Sequence, residues 1–445
     1  MMSMHSHKNL LFLIAFALGS LSGMGQRVVP PSRWNDSLAG KTEAEIDLAM
    51  GIRHDQARIL TRNCLLNKKV YGWHPAWMGT AYLRYDFGLL STVAYHGYQI
   101  DPVTGKPERL YNWRETGLVE AAHDGGAQVE LSAYLHATAG VVKLLQSATA
   151  RKTLADSLVA LVKLRDADGV CLDLMGVGPR LRDGYAALVK ELHDQLQAWR
   201  KDATLSIALY PDAANSGVCN PAIVPMVTRF ILMGDPGQDP RSDKAGPVSP
   251  IHASAKWGQS ALDSSISRTI AAGIPKAKLI VALPYYGYEW PTSSAEPGAK
   301  ATGKPRLVTL RDYELMDSSA FLQWDSSSAT GWLLHEGKSG YRQLWMDQVS
   351  SLTDRMSLVM RMDLGGVAIA SLGYDHGSDK YWNLIQAKFA DCGAAKTEEH
   401  AKDAKPQIVG LEGPTSAERN TWNWVWMLAG GIFAVGVILL VKKYL

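Results

Sequence analysis

The stretch DADGVCLDLMGV (residues 166–177) has the pattern of a strand that lines the inside of a barrel. Successive side chains of a strand point to opposite faces, so Cys171, Asp173 and Met175 share one face and branched hydrophobic residues occupy the other. A carboxylate on an inward face requires hydrogen-bond partners or a function. The stretch therefore predicts an acidic side chain inside a barrel, with a structural or a functional role.

Seven further apolar runs, separated by amphipathic helical stretches, predict an α/β fold of the (β/α)₈ TIM barrel type. A segment at 291–350, too long for one connecting helix, predicts a small inserted α+β subdomain between strands 7 and 8. Residues 26–67 are helical in composition, with Asp36 or Ser37 as a cap. The seven runs are residues 70–77, 89–100, 127–137, 204–211, 228–235, 278–288 and 365–375.

The composition excludes some classes of partner. A formal charge of +3 over 445 residues, without a basic run, argues against nucleic acid. Fourteen tryptophans and seventeen tyrosines against seven phenylalanines suit a cleft in which sugar faces stack on rings. The four cysteines match no metal site, and we predict neither metal nor cofactor. Cys171 is expected to be a small buried hydrophobe, and a Cys171–Cys219 bridge stays open.

Both ends of the chain predict contact with a membrane. Residues 1–25 are typical of a signal peptide, with an uncleaved anchor as the alternative. Residues 393–421 are polar and predict a linker, and the uncharged 422–441 is long enough to span a bilayer. Two lysines in the tail 442–445 predict that this end is cytoplasmic. The barrel is then expected on the extracytoplasmic, periplasmic side of the cell membrane.

Four motifs in order resemble glycoside hydrolase family 18, the chitinase-like barrels, over residues 68–392. The family's fourth strand, DGxDxDxE, corresponds to DGVCLDLM, in which Asp168, Gly169 and Asp173 match. Cys171 replaces the middle aspartate, and Met175 replaces the glutamate. Three further segments are similar to family signatures: LPYYGYEW (283–290), LWMDQVSSL (344–352) and GGVAIASLGYD (365–375).

The resemblance implies a role for each motif position. The family's glutamate protonates the leaving oxygen, and the substrate's own acetamido group attacks the anomeric carbon, so that no protein nucleophile is needed. The aspartate at Asp173 orients that acetamido group. A tyrosine that binds the acetamido oxygen is replaced by Gly234, although Asp235 remains, and a tryptophan under the sugar is replaced by Ala370. These departures predict a catalytically impaired protein.

Three functions remain open from the sequence. The first is an impaired barrel that binds an N-acetylglucosamine-containing glycan, such as peptidoglycan or a chitin-like polymer. The second is an active hydrolase with Glu289 or Asp212 as an atypical acid, since Glu130 is expected deeper than the rim. The third is an envelope scaffold that binds a protein partner. Asp173 itself is predicted to be bonded inside the barrel, sharing a proton with Asp235. The predicted glycan contacts are Asp173, Asp235, Trp73, Trp77, Tyr95, Tyr134, Tyr285, Tyr286 and Trp290.

Overall fold

The computed structural model describes residues 38, 40–52, 64–211, 213–316, 321–338 and 340–392. The predicted signal peptide, linker, spanning segment and tail lie outside these residues. Within them, no helix is both long and apolar enough to cross a membrane.

The strands of this part of the chain follow the predicted apolar runs. In chain order they are β1 (Cys64–Leu66), β2 (Lys69–Pro75), β3 (Thr92–Ile100), β4 (Pro107–Arg109), β5 (Gln128–Leu135), β6 (Gly169–Leu174), β7 (Thr204–Leu209), β8 (Arg229–Met233), β9 (Leu279–Pro284), β10 (Tyr286–Thr292), β11 (Arg306–Thr309), β12 (Phe321–Asp325), β13 (Thr330–Gly337), β14 (Gly340–Trp345), β15 (Gly366–Ala370) and β16 (Ala390–Cys392).

The helices lie between the barrel strands and around them. In chain order they are α1 (Glu43–Met50), α2 (Leu118–Asp124), α3 (Thr138–Gln146), α4 (Ala148–Leu164), α5 (Arg182–Trp199), α6 (Leu262–Ala271), α7 (Leu310–Glu314), α8 (Val349–Arg361) and α9 (Asp379–Phe389). Short 3₁₀ segments cover Ala76–Arg84, Phe87–Leu89, Pro179–Leu181, Ala213–Asn215, Pro221–Met226 and Lys276–Lys278.

Eight parallel strands form a closed barrel, which confirms the predicted (β/α)₈ fold. Their order is β2-β15-β9-β8-β7-β6-β5-β3, and pairing of β2 with β3 closes the ring. Outward-facing residues pack under the helices: α5, for example, buries Leu188, Leu192 and Leu196 at helical spacing. Parallel strands buried on both faces explain why the sequence shows continuous apolar runs rather than clean alternation.

A buried cluster of charged and hydroxyl side chains fills the barrel interior near the amino ends of the strands. Glu130 is fully buried and accepts hydrogen bonds from Tyr71 (2.8 Å), Thr204 (2.6 Å) and Ser206 (2.8 Å). Arg229 forms an ion pair with the same carboxylate at 3.1 Å. Glu130 therefore lies deep in the barrel, as expected, and its oxygens are occupied by protein groups.

The insertion between β9 and β15 begins earlier than the predicted residue 291. The barrel strand β9 ends at Pro284, and the chain enters a five-stranded antiparallel sheet, β11-β10-β14-β13-β12, at Tyr286. Arg355 of α8 ties this sheet to the barrel, donating to Ala329 O at 2.8 Å and pairing with Asp347 at 2.7 Å. The early start places Tyr286–Trp290 in the inserted sheet and not in a barrel strand; the chain returns to the barrel at β15.

The two ends of the barrel unit are joined. Strands β1 and β16 pair antiparallel, and a disulfide links Cys64 to Cys392. Cys171 and Cys219 are free and buried, so the Cys171–Cys219 bridge is wrong, whereas burial of Cys171 is as expected. Helix α1 is capped by Thr42 through a capping box rather than by Asp36 or Ser37, which lie outside the described residues.

Candidate functional site

A cleft of about 400 Å³ opens at the carboxyl ends of the barrel strands, beside the inserted sheet. This is the end at which TIM barrels place their active sites, and the volume suits a small ligand. Pro240, Lys304, Pro305, Leu307 and Ser371 contribute to its rim. Rings dominate the lining; they belong to Trp73, Trp77, His96, His136, Tyr210, Tyr286, Tyr288 and Tyr374.

Asp173 is the polar centre of the cleft. One carboxylate oxygen accepts a hydrogen bond from His136 Nε2 at 3.0 Å, and the other accepts one from the Tyr210 hydroxyl at 2.7 Å. Burial alone would raise the pKa of Asp173, but the charge and hydrogen bond of His136, with smaller contributions from His96 and Tyr210, lower it to about 2. Asp173 is therefore held as a carboxylate that accepts hydrogen bonds.

His136 follows directly after β5 and faces Asp173 with one ring nitrogen. Since that partner is ionised, Nε2 carries the proton that it donates. Burial opposes protonation of the ring, yet the charge and hydrogen bond of Asp173 raise the pKa of His136 above its usual value. The other nitrogen, Nδ1, has no hydrogen-bond partner within the described part of the chain.

A stack of rings supports this pair. His96 stacks on Tyr134 with ring centroids 4.2 Å apart and lies 6.3 Å from His136. Burial lowers the pKa of His96 to about 4, so the ring is neutral near pH 7. Tyr134 was predicted to contact glycan directly, but it is absent from the lining and supports the cleft through His96.

Met175, at the position of the family's proton donor, does not line the cleft. It follows β6 in a turn and is 37% exposed. Among the described residues that line the cleft, Asp173 provides the carboxyl group. The alternative acid Asp212 lies outside the described residues. Protonation of a leaving oxygen by a carboxylic acid thus has no donor in the described lining.

Asp235, which the chain shares with the family motif, bonds to a tyrosine of the cleft and not to Asp173. The Tyr286 hydroxyl donates to Asp235 Oδ2 at 2.7 Å, and burial raises the pKa of that carboxyl group to about 6. The prediction that Asp173 and Asp235 share a proton is wrong, because His136 and Tyr210 donate hydrogen bonds to the two carboxylate oxygens of Asp173. Asp235 thus fixes the position of Tyr286 at the cleft wall.

The two other substituted family positions differ in their surroundings. Ala370 lines the cleft, so a larger side chain there would enter it. Gly234 N–H donates to Ala282 O at 2.8 Å, and a Cβ atom at 234 would lie 2.2 Å from that oxygen. No side chain fits at Gly234 without backbone movement, whereas a larger side chain at 370 would extend into the cleft beside Trp73.

Three predicted aromatic contacts lie in cores outside the cleft. Tyr95 faces away from the barrel interior because its strand neighbours face inward, and it packs against Trp113. Tyr285 packs against Tyr381 beneath the helices. Trp290 is fully buried in the inserted subdomain. These three predictions are wrong. Alternation of side chains turns Tyr95 and Tyr285 away from the cleft, and Trp290 lies in β10, where the chain has already left the barrel.

Glu289, the other alternative acid, also faces away from the cleft. Tyr286 and Tyr288 on the same strand line it, and the residue between Tyr288 and Trp290 must point to the opposite face. There Glu289 forms ion pairs with Arg306 at 3.1 Å and Arg342 at 3.3 Å. Its prediction as a rim acid is wrong.

Asp168 lies at the opposite end of the barrel from Asp173. It accepts a hydrogen bond from Val129 N at 2.7 Å and pairs with His123 at 2.8 Å and Arg200 at 3.2 Å. These contacts hold the amino end of β6 in place. Of the two aspartates that match the family motif, Asp168 is therefore structural and Asp173 lies in the cleft.

Sequence reasoning missed His136, Tyr210, Tyr288 and Tyr374 as cleft residues. His136 and Tyr210 are the first residues after β5 and β7, where the strands of a TIM barrel deliver site residues. That position was available from the sequence. That both side chains bond to Asp173 could not be predicted, because the three residues come from three separate strands.

The comparisons with known proteins agree with this geometry. The family model "Glycosyl hydrolases family 18" matches residues 136–375, more than half of the chain. The chain belongs to glycosyl hydrolase family 18. A Caenorhabditis elegans protein named "Probable endochitinase" is 27% identical over an alignment of 256 residues, which covers 52% of this chain and 40% of that protein. A Bacillus subtilis (strain 168) protein named "Putative sporulation-specific glycosylase YdhD" is 25% identical, over 53% of this chain and 55% of its own length. The chain thus spans about half the length of these relatives.

Solved structures show the same fold. An immunomodulatory active chitinase from Trichuris suis has a TM-score of 0.65 and 19% identity, over 72% of this chain and 99% of that chain. A Cycas revoluta family 18 chitinase mutant in complex with (GlcNAc)4 has a TM-score of 0.63 and 16% identity, with the same coverage. At these identities the similarity shows the barrel fold.

Proposed function

We propose that this family 18 barrel binds an N-acetylglucosamine-containing glycan in the cleft and hydrolyses it poorly or not at all. The observation that carries this proposal is the state of Asp173. His136 and Tyr210 hold it as a carboxylate, and the family's donor position is occupied by Met175 outside the lining. The cleft retains an acceptor and lacks a carboxylic acid donor among its described residues.

Glycan binding is supported by the lining itself. Flat rings such as Trp77, Tyr288 and Tyr374 provide apolar faces, and a pyranose presents complementary C–H faces. The Asp173 carboxylate supplies an acceptor for an acetamido N–H. The Cycas revoluta structure of the same fold holds (GlcNAc)4, which supports the same class of ligand here.

Impaired catalysis follows from the mechanism that the family uses. The acetamido group can still be oriented by Asp173, but the leaving oxygen needs a proton at the moment of cleavage. Loss of a general acid costs a factor of roughly 10²–10⁴ in rate. Glu289 cannot replace it, because it is paired with two arginines on the far face of β10. These contacts disfavour the active hydrolase.

The proposed location is the extracytoplasmic face of a membrane, where peptidoglycan would be within reach. The disulfide between Cys64 and Cys392 is of the kind that persists in oxidising compartments. It supports the export predicted from residues 1–25. In this proposal the C-terminal segment holds the barrel at the membrane.

Calorimetric titration of the full chain with chitotetraose and with soluble peptidoglycan fragments tests the binding. We expect at least one to bind, and Asp173→Asn to weaken that binding. Asp263→Asn, which alters a partly exposed aspartate bonded to His252 and absent from the cleft lining, is the matched control and should bind as wild type does. Reducing-end release should stay near background.

Two results would contradict the proposal. Cleavage at ordinary enzyme rates, about 1–10³ s⁻¹, would establish an active hydrolase. Absence of binding to both ligands, with a folded protein, would favour the protein scaffold.

A further inference from the structure

Trp73 stands between two alanines at the mouth of the barrel. On β15, Ile369 pairs with Gly72, so Ala370 and Trp73 are neighbours at the next position. On the other side, Ala94 of β3 pairs directly with Trp73. The side chains of Trp73, Ala94 and Ala370 belong to one buried cluster inside the barrel. Small neighbours on both strands leave room for the indole ring.

Packing holds the ring at the base of the cleft. Trp73 lines the cleft but is only 6% exposed. Tyr71 contacts it edge to face, with ring centroids 5.2 Å apart, and its Nε1 has no hydrogen-bond partner in the described structure. The Trp73 carbonyl oxygen accepts from Leu372 N–H at 2.8 Å, which ties β2 to the chain after β15.

We infer that Trp73 forms the floor on which a pyranose ring of the bound glycan rests. The resemblance places a tryptophan at Ala370, and here the neighbouring strand β2 supplies the indole beside that position. The sugar floor that the Ala370 position no longer supplies is therefore provided by Trp73. This inference rests on the proposed function, because it assigns a contact within the same cleft.

A swap of the two side chains tests whether they compete for one space. Ala370→Trp alone should lower the melting temperature, because the cluster cannot hold two indoles. Adding Trp73→Ala to that variant should recover much of the loss. An Ala370→Trp protein as stable as wild type would show that the rings do not compete, and would overturn the inference without any ligand.

Calorimetric titration with chitotetraose tests the floor itself. Trp73→Ala should weaken binding about tenfold, the value of one aromatic contact. Trp73→Phe should lose less, because it keeps a flat ring. Ala370→Trp should bind weakly and the double variant more tightly than either single variant. Trp324→Ala is the matched control, since Trp324 is 48% exposed on the sheet edge at β12 and should bind as wild type does.

The outcomes separate the two proposals. Wild-type binding that survives Trp73→Ala unchanged overturns the floor alone. A wild-type protein that binds no chitotetraose overturns the proposed binding of this probe together with the floor, whatever the swap shows.

Discussion

Replacing Asp173 by Asn should reduce stability in a way that depends on pH. The folded pKa of about 2 lies below the ordinary value of 3.8, and each pKa unit corresponds to about 1.4 kcal/mol, so the ionised group contributes about 2 kcal/mol to the free energy of unfolding. The side chain is only 10% exposed, so solvent screens this contribution little. For a barrel of this size, the loss corresponds to a fall in melting temperature of about 3 °C.

The sign of the pH dependence follows from the direction of each shift. A lowered pKa at Asp173 gives stability that is present above the unfolded pKa of 3.8 and lost as pH falls through about 2. A raised pKa at His136 gives stability that is present below 6.5 and lost as pH rises through its folded pKa. The gap between wild type and Asp173→Asn should therefore be largest between about pH 4 and 6.5.

Urea unfolding followed by tryptophan fluorescence at about pH 2.5, 5.5 and 8.5 measures this gap. His136→Gln, alone and combined with Asp173→Asn, completes a cycle whose coupling should be greatest at the middle pH. Asp263→Asn is the control, because the His252–Asp263 pair lies at the surface, with side chains 63% and 33% exposed, and surface pairs contribute little. A gap that stays constant across the three pH values would refute the ion pair as its cause.

Further perturbations test other parts of the molecule. Met175→Glu alone should leave reducing-end release from chitotetraose near background, because position 175 does not line the cleft; activity restored by this change would contradict the assignment. The double variant Cys64→Ser, Cys392→Ser should lower the free energy of unfolding in urea by about 2–5 kcal/mol, and an unchanged midpoint would argue against a formed disulfide. Glu289→Gln should bind chitotetraose as wild type does, and weakened binding would return Glu289 to the site. Protease added to intact spheroplasts of a Gram-negative host should digest the barrel, and full protection would contradict an extracytoplasmic location.

The barrel could be predicted because its strands are short, mainly apolar runs separated by polar helical sequence. The boundary at Pro284 could not, because LPYYGYEW stays apolar and aromatic across the point where β9 ends and β10 begins. That single displacement accounts for the wrong placements of Glu289 and Trp290. Tyr285 failed differently, since adjacent tyrosines must face opposite ways and only Tyr286 reaches the cleft.

Contacts between residues that are far apart in the sequence could not be predicted from periodicity. His136 and Tyr210 meet at Asp173 because β5, β6 and β7 are neighbours in the barrel, and alternation alone does not identify that pairing. The Cys64–Cys392 disulfide joins residues 328 positions apart, so spacing gave no indication of it. The closed surroundings of Gly234 likewise depend on a carbonyl from the next strand.

Binding and cleavage make different demands on Asp173. Cleavage requires a group near the leaving oxygen that holds a proton and then releases it. Binding of an acetamido N–H requires an acceptor whose charge stays fixed, and His136 and Tyr210 impose that state through both carboxylate oxygens. Each bond that stabilises the carboxylate also lowers the pKa of Asp173 and makes it a poorer acid. In the proposed function, a cleft with this arrangement, a tryptophan floor supplied from β2 and no carboxylic acid among its described lining holds a sugar without protonating it.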